Sequence, residues 1–266
     1  MIRLPIVVES LRDHVRAIIG WSLGLVVLVA VQMSVYPTIR DSSEGWSSLT
    51  EQFPEVFKEV FRIADYTSEV GYLSAELFSF VVPFMFIAIG ATWGARLATE
   101  DEDREMADVV LALPIERHEY VVSRLAAAVV ALLGSAVSFL AALVVGARAL
   151  DMAIPVSRFA VATGVLVLIG LVFLALAAVI GAWTARRAVA LGFSTGAAIA
   201  MFIAYSLAPL VGWLDATSPV NPMTWTIGSQ PLVDGLDTGL SLRTLAVAAA
   251  LTLATFPVFG RRDISA

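Results

Sequence analysis

The chain has 266 residues, 59% of them hydrophobic and only 15% charged, with a mean hydropathy of +0.85. A soluble domain carries about a quarter charged residues, so the composition excludes an ordinary soluble enzyme and points to an all-α polytopic membrane protein. The net charge of −6 sits in two acidic patches and gives no case for a nucleic-acid partner, while the absence of cysteine rules out disulfides, thiol nucleophiles and cysteine metal sites.

In chain order, residues 4–16 read as an interfacial helix. Leu4, Val7, Val8 and Leu11 fall on one side, continued by Val15 and Ile18, with Glu9, Arg12, Asp13 and Arg16 opposite. Such a helix lies in the membrane plane, apolar face down; the plain alternative is a cytosolic extension of the first span. That span covers about 17–36 and is expected to end at Pro37. Residues 38–74 form a first outer segment. Its helix places Phe53, Val56, Phe57, Val60 and Phe61 at helical spacing against Glu55, Lys58, Glu59 and Arg62. The second span runs from about 76 to 97 and carries Pro83. After residues 98–124 come a third span near 125–147, a fourth near 159–183 and a fifth near 189–212. A second outer segment at 213–241, rich in Pro, Gly and Trp, is expected to hold short re-entrant or interfacial pieces. A sixth span near 244–259 completes a single permease-sized domain over 1–266.

Six spans put both termini on one side. With the N-terminus, residues 98–124 and the Arg96 just before them, Arg186–Arg187 and the C-terminus inside, eleven basic residues face the cytoplasm. Six (Arg40, Lys58, Arg62, Arg148, Arg158 and Arg243) face out. That is the positive-inside direction. A multi-pass protein of the plasma or inner membrane with cytoplasmic termini is the expectation.

Residues 98–124 are the one dense block of charge. Met106, Val109, Val110 and Leu113 repeat at i, i+3, i+4 and i+7, which puts an apolar ridge along one helix face. Glu102 and Glu105 flank it, and Pro114 ends the helix. The resulting elbow suits docking to another protein; a solvated loop between two spans is the bland reading.

This elbow, with Glu100–Asp101–Glu102 followed by Leu111–Ala112–Leu113–Pro114–Ile115–Glu116–Arg117, resembles that of ABC exporter permeases of the type-2 family. The six-span layout, long first outer loop and basic C-terminus extend the resemblance over essentially the whole chain. Glu105 and Met106 stand where that family commonly has Gly and Thr, and Glu116 where it has Ser. The resemblance implies a cytoplasmic coupling helix that docks a separate nucleotide-binding ATPase through Glu102, Glu105, Met106, Val109, Val110, Leu113, Pro114 and Arg117. It also implies a second permease subunit, as homodimer or heterodimer, in the lipid bilayer. The sole lysine, Lys58, lies in Phe57–Lys58–Glu59 and not in a phosphate loop. The chain is therefore expected to be no enzyme and to hold no cofactor, with ATP and Mg in the partner ATPase.

Three further sets of residues carry expectations. Gly20/Gly24 and Gly192/Gly196 have the spacing that lets helices approach closely, and the implied dimer makes them candidate dimer contacts, packing within one subunit being the alternative. Glu76 is a candidate gate residue near the outer end of the second span; the alternative is an interfacial carboxylate that caps the helix beside Ser74. A greasy substrate path would include Met33, Phe80, Phe84, Met201 and Phe202. The expected function is export of a hydrophobic or amphipathic compound. A secondary carrier or channel is the competing class, since ion coupling calls for charges buried in the membrane and Glu76 is a candidate. An intramembrane enzyme is the remaining one: Glu100 and Arg104 bear a faint likeness to the acidic motif of membrane-embedded proteases, which need histidine ligands within spans, and the spans contain none. No metal site is expected.

Overall fold

The computed structural model of the chain describes residues 2–42, 66–103 and 117–260. Among them the helices are α1 (Leu4–Asp13), α2 (Val15–Asp41), α3 (Glu69–Leu73), a π-helical turn (Ser74–Phe78), α4 (Val81–Asp103), α5 (Arg117–Ala149), α6 (Val156–Thr184) and α7 (Arg187–Leu207). Then follow α8 (Gly212–Asp215), a 3-10 turn (Ser218–Val220), α9 (Pro222–Thr226) and α10 (Thr238–Gly260). Six stretches are long and apolar enough to cross a membrane: α2, the run Glu69–Leu97, and the bodies of α5, α6, α7 and α10. The fold is all-α, and the described residues contain no strand.

Prolines account for most of the boundaries that differ from expectation. α2 continues through Pro37 to Asp41. Proline there forfeits one hydrogen bond, to the Met33 carbonyl, while Tyr36 and Ile39 on either side are held in the core. α7 stops at Leu207, short of the expected end near 212: Ala208 still has helical angles, but Pro209 after it has no N–H to give the Tyr205 carbonyl. In the second span, the Pro83 ring has no N–H to give the Ser79 carbonyl and crowds it. The helix breaks at Ser79–Phe80, between the π-helical turn and α4. The Ser79 hydroxyl takes up the Ser74 carbonyl at 2.7 Å.

α6 is the central helix, with fifteen buried residues along its length. It packs against α4 most extensively, and also against α10, α7 and α5. Gly90 and Gly94 of α4 permit the closest crossing: a Cβ at either would overlap the carbonyl of Gly170 or Leu174 on α6. Phe86, Phe139, Phe159 and Phe173 fill the interior around this crossing, each fully buried. α2 packs chiefly on α5 and leaves a ridge of Ile19, Leu23, Val27, Val31 and Val35 exposed.

α1 is a separate helix that lies along α5. Arg3 holds it there: its guanidinium donates to Glu119 Oε2 at 2.7 and 2.9 Å, and its N–H donates to Ser123 Oγ at 2.8 Å. The apolar face read from the sequence is divided. Val7 is buried and Leu11 half-buried against the bundle, whereas Leu4, Val8 and Val15 are exposed. His14 is buried at the junction with α2, its ring edge-on to Trp93 at 5.2 Å.

Candidate functional site

At the end of the bundle opposite α1, the second span enters through α3. Ser68 caps this helix, its Oγ accepting from the Gly71 N–H at 3.0 Å. Glu76 is therefore not the cap; it lies two turns further in, within the π-helical turn. An extra residue per turn rotates the side chains that follow, and such turns recur at functional sites. Here the turn aims Glu76 at α2.

Two neutral donors hold the carboxylate. Gln32 Nε2 donates to Oε2 at 2.8 Å and the Tyr66 hydroxyl donates to Oε1 at 2.5 Å. Tyr72, fully buried, donates to the Gln32 carbonyl at 3.0 Å and stands against Tyr66 and Tyr36, with ring centroids 5.5 and 5.3 Å away. Burial, and then the Glu76 carboxylate, push the Tyr66 hydroxyl well above the usual phenol range. Gln32 stands nine residues short of Asp41, which at 1.5 Å per residue is about 14 Å from the helix end. A carboxylate at mid-bilayer costs about 3 kcal/mol and much less near the interface; the two hydrogen bonds offset part of the cost of placing Glu76 in the outer part of the second span. Among the described residues no lysine or arginine pairs with Glu76.

Four of the five expected path residues meet one turn further along. Phe80 and Phe84 of the second span stack on each other at 4.9 Å, and both contact Phe202 of α7, at 5.1 and 5.3 Å. Met201 packs beside Phe84 and Phe202 in the same cluster. Phe80 is 50% exposed and opens the cluster to the surroundings. Met33 stands apart. It is buried, with its side chain closing the space over Gly146 of α5.

Beside this cluster, α8, the 3-10 turn and α9 fold back against α6, α7 and α10. Asn221 fastens the segment: its Nδ2 donates to the Met201 carbonyl at 2.8 Å, and its Oδ1 accepts from the Met223 N–H at 3.0 Å, capping α9. Met223 behind it is fully buried. Arg158, at the start of α6, donates to the carbonyls of Leu232 and Val233 at 3.3 and 2.9 Å. Neither Asn221 nor Arg158 was singled out in the sequence. Asn221 precedes a proline and a helical run, which is the signal of an N-cap.

Of the candidate dimer contacts, Gly20, Gly192 and Gly196 have nothing within 4 Å of where a Cβ would stand, and Gly24 meets only the Met85 methyl at 3.6 Å. The elbow residues Glu105, Met106, Val109, Val110, Leu113 and Pro114 lie outside the described residues. Glu102 is in the last turn of α4 and Arg117 begins α5.

Residues 10–259 match the family described as multidrug efflux system permease Rv1217c, C-terminal domain. Neither a curated protein nor a solved structure matches the chain. The match spans all six membrane-crossing stretches, and the chain belongs to the family of this permease domain.

Proposed function

We propose that the chain is the membrane subunit of an ATP-driven exporter, forming the pathway for a hydrophobic or amphipathic compound and driven by a separate nucleotide-binding ATPase. The observation that carries this reading is the match of residues 10–259 to a domain of a multidrug efflux permease. In that permease the matching unit is a C-terminal domain, which fits a pathway assembled from two six-span units. The open glycine stripes Gly20/Gly24 and Gly192/Gly196 are surfaces on which a second unit, identical or not, packs closely. The basic residues near α1 orient that end to the cytoplasm of a plasma or inner membrane. The elbow between α4 and α5 then faces the cytosol, where its apolar ridge docks the ATPase and its acids set encounter and register. ATP and Mg bind in that partner.

Capture of the detergent-solubilised chain tests the proposal. It recovers an ATPase with a phosphate loop, and Val109→Asp, Val110→Asp or Leu113→Asp abolishes recovery while the chain stays folded. Movement of cargo by the purified chain in vesicles, with no nucleotide-hydrolysing companion, overturns it and favours a carrier.

A further inference from the structure

We propose that the second span is hinged at Ser79–Phe80, so that the segment before the break rocks with α2 while α4 stays with α6 and α7. The motion belongs to this chain alone. Its purpose, opening and closing the end of the bundle opposite α1, deepens the pathway reading and rests on it.

The first support is the local chemistry of the break. Ser74–Phe78 is wound as a π-helical turn, the helix breaks at Ser79–Phe80, and α4 begins at Val81. Pro83 has no N–H for the Ser79 carbonyl, and the Phe84 N–H donates to the Phe80 carbonyl at 3.1 Å as α4 starts. The Ser79 hydroxyl donates to the Ser74 carbonyl at 2.7 Å. Serine side chains of this kind let a membrane-spanning helix tolerate a proline break without leaving a bare polar group in lipid. Prolines and π-turns are where helices bend sharply, and residues at the ends of elements absorb hinge motions.

The second support is that the span changes partners at this point. Before it, Glu76 accepts from Gln32 of α2 at 2.8 Å and the Tyr72 hydroxyl donates to the Gln32 carbonyl at 3.0 Å. Glu69 accepts from the Ala153 N–H, in the link after α5, at 2.7 Å. After it, Gly90 and Gly94 lock α4 against α6, and Phe84 rests on Phe202 of α7. Asn221 fastens the folded-back segment to the same α7, whereas α2 packs chiefly on α5. Phe139 of α5 touches both sides of the break, its ring edge-on to Phe78 at 5.8 Å and to Phe86 at 6.0 Å. Apolar contact is non-directional, so this ring serves as a pivot on which the two sides tilt. Glu69 precedes Phe80 by eleven residues, about 16 Å at 1.5 Å per residue. A bend of about 20° therefore carries it about 6 Å.

The chain contains no cysteine, so introduced pairs carry spin labels without competition. The test uses the full chain in nanodiscs, diluted with unlabelled chain, without ATPase or nucleotide, and reads distances by pulsed electron paramagnetic resonance. Thr67 is half-buried, and Val27, Ile203 and Leu245 are exposed. Thr67→Cys with Val27→Cys on α2, and Ile203→Cys on α7 with Leu245→Cys on α10, are each expected to give one narrow distance. Thr67→Cys with Ile203→Cys, across the hinge, is expected to give two distances or a spread wider by about 5 Å. Pro83→Ala restores an N–H for the Ser79 carbonyl and narrows that spread. If Pro83→Ala does not fold, Ser79→Ala decides: losing the bond to the Ser74 carbonyl shifts the weights of the across-hinge distances and leaves Thr67–Val27 unchanged. A narrow distance across the hinge in the chain without either hinge substitution overturns the assignment. So does a spread that the deciding variant leaves untouched, or a Thr67–Val27 spread as wide as the one across the hinge. Failure here leaves the ATP-coupled reading standing, because no ATPase takes part. Loss of that reading in the capture experiment leaves the measured bending intact.

Discussion

Gly90 on the second span faces the carbonyl of Gly170 on the fourth so closely that neither helix can hold its place if Gly90 gains a side chain. A Cβ would meet backbone, which cannot swing aside as a flexible side chain would. Overpacking of this kind costs about 1–3 kcal/mol. Gly90→Ala and Gly94→Ala are thus expected to lower the thermal midpoint of the purified chain by several degrees. Gly192→Ala and Gly196→Ala, inside α7 with open space at the Cβ, leave the midpoint of the isolated chain unchanged or raise it slightly, since a helix interior favours alanine over glycine. Equal melting of all four variants refutes the crossing.

The fate of these glycines shows what the amino-acid order reveals and what it conceals. The three Gly-x-x-x-Gly pairs within spans look alike as letters, yet Gly90/Gly94 is spent inside the bundle while Gly20/Gly24 and Gly192/Gly196 stay open. Helix rotation decides which, and runs as uniformly apolar as α6 carry no polar face from which to read rotation. Met33 and Phe80 illustrate the same gap, one buried over Gly146 and the other half-exposed. The spans themselves were legible, because bilayer thickness imposes length and apolarity on each. Prolines were less so: Pro37 is carried within α2, whereas Pro209 and Pro83 coincide with breaks. The partners of Glu76 were invisible, since Gln32 is 44 positions away and reaches it only through the packing of α2 on the second span.

Asn221 joins two elements with one amide. Alanine there removes both the cap of α9 and the bond to the Met201 carbonyl, at an expected cost of about 1–3 kcal/mol. Asn221→Asp keeps the cap acceptor but sets a buried carboxylate oxygen against a carbonyl, and is expected to cost at least as much as alanine. Hydrogen exchange across residues 212–226 rises in both variants. An aspartate variant as stable as the wild type contradicts the assignment of the amide.

Ala185 ends α6 in the left-handed region, with φ of 57°, and its N–H donates to the Gly181 carbonyl at 3.0 Å. Alanine carries a steric penalty in this position that glycine does not. Ala185→Gly is therefore expected to stabilise the chain by about 0.5–1 kcal/mol, read as a small rise in the thermal midpoint. A fall in the midpoint shows that the α6–α7 link adopts another conformation.

The bond between Gln32 and Glu76 is open to a double-mutant cycle. Gln32→Leu leaves the carboxylate with one donor fewer at membrane depth, and Glu76→Leu leaves the Gln32 amide unpaired. Each single change is expected to destabilise the chain. The pair of changes together removes both polar groups and restores apolar contact, so its cost falls below the sum of the two. Hydrogen bonds between membrane helices couple by about 0.6 kcal/mol on average and at most about 1.7 kcal/mol. A carboxylate acceptor at 2.8 Å belongs in the upper half of that range. Tyr66→Phe removes the second donor, to Oε1 at 2.5 Å, and strengthens the coupling to Gln32 because the carboxylate then depends on that amide alone. Additive single changes, with no coupling in either the native or the Tyr66→Phe background, separate the two side chains and with them α2 from the second span.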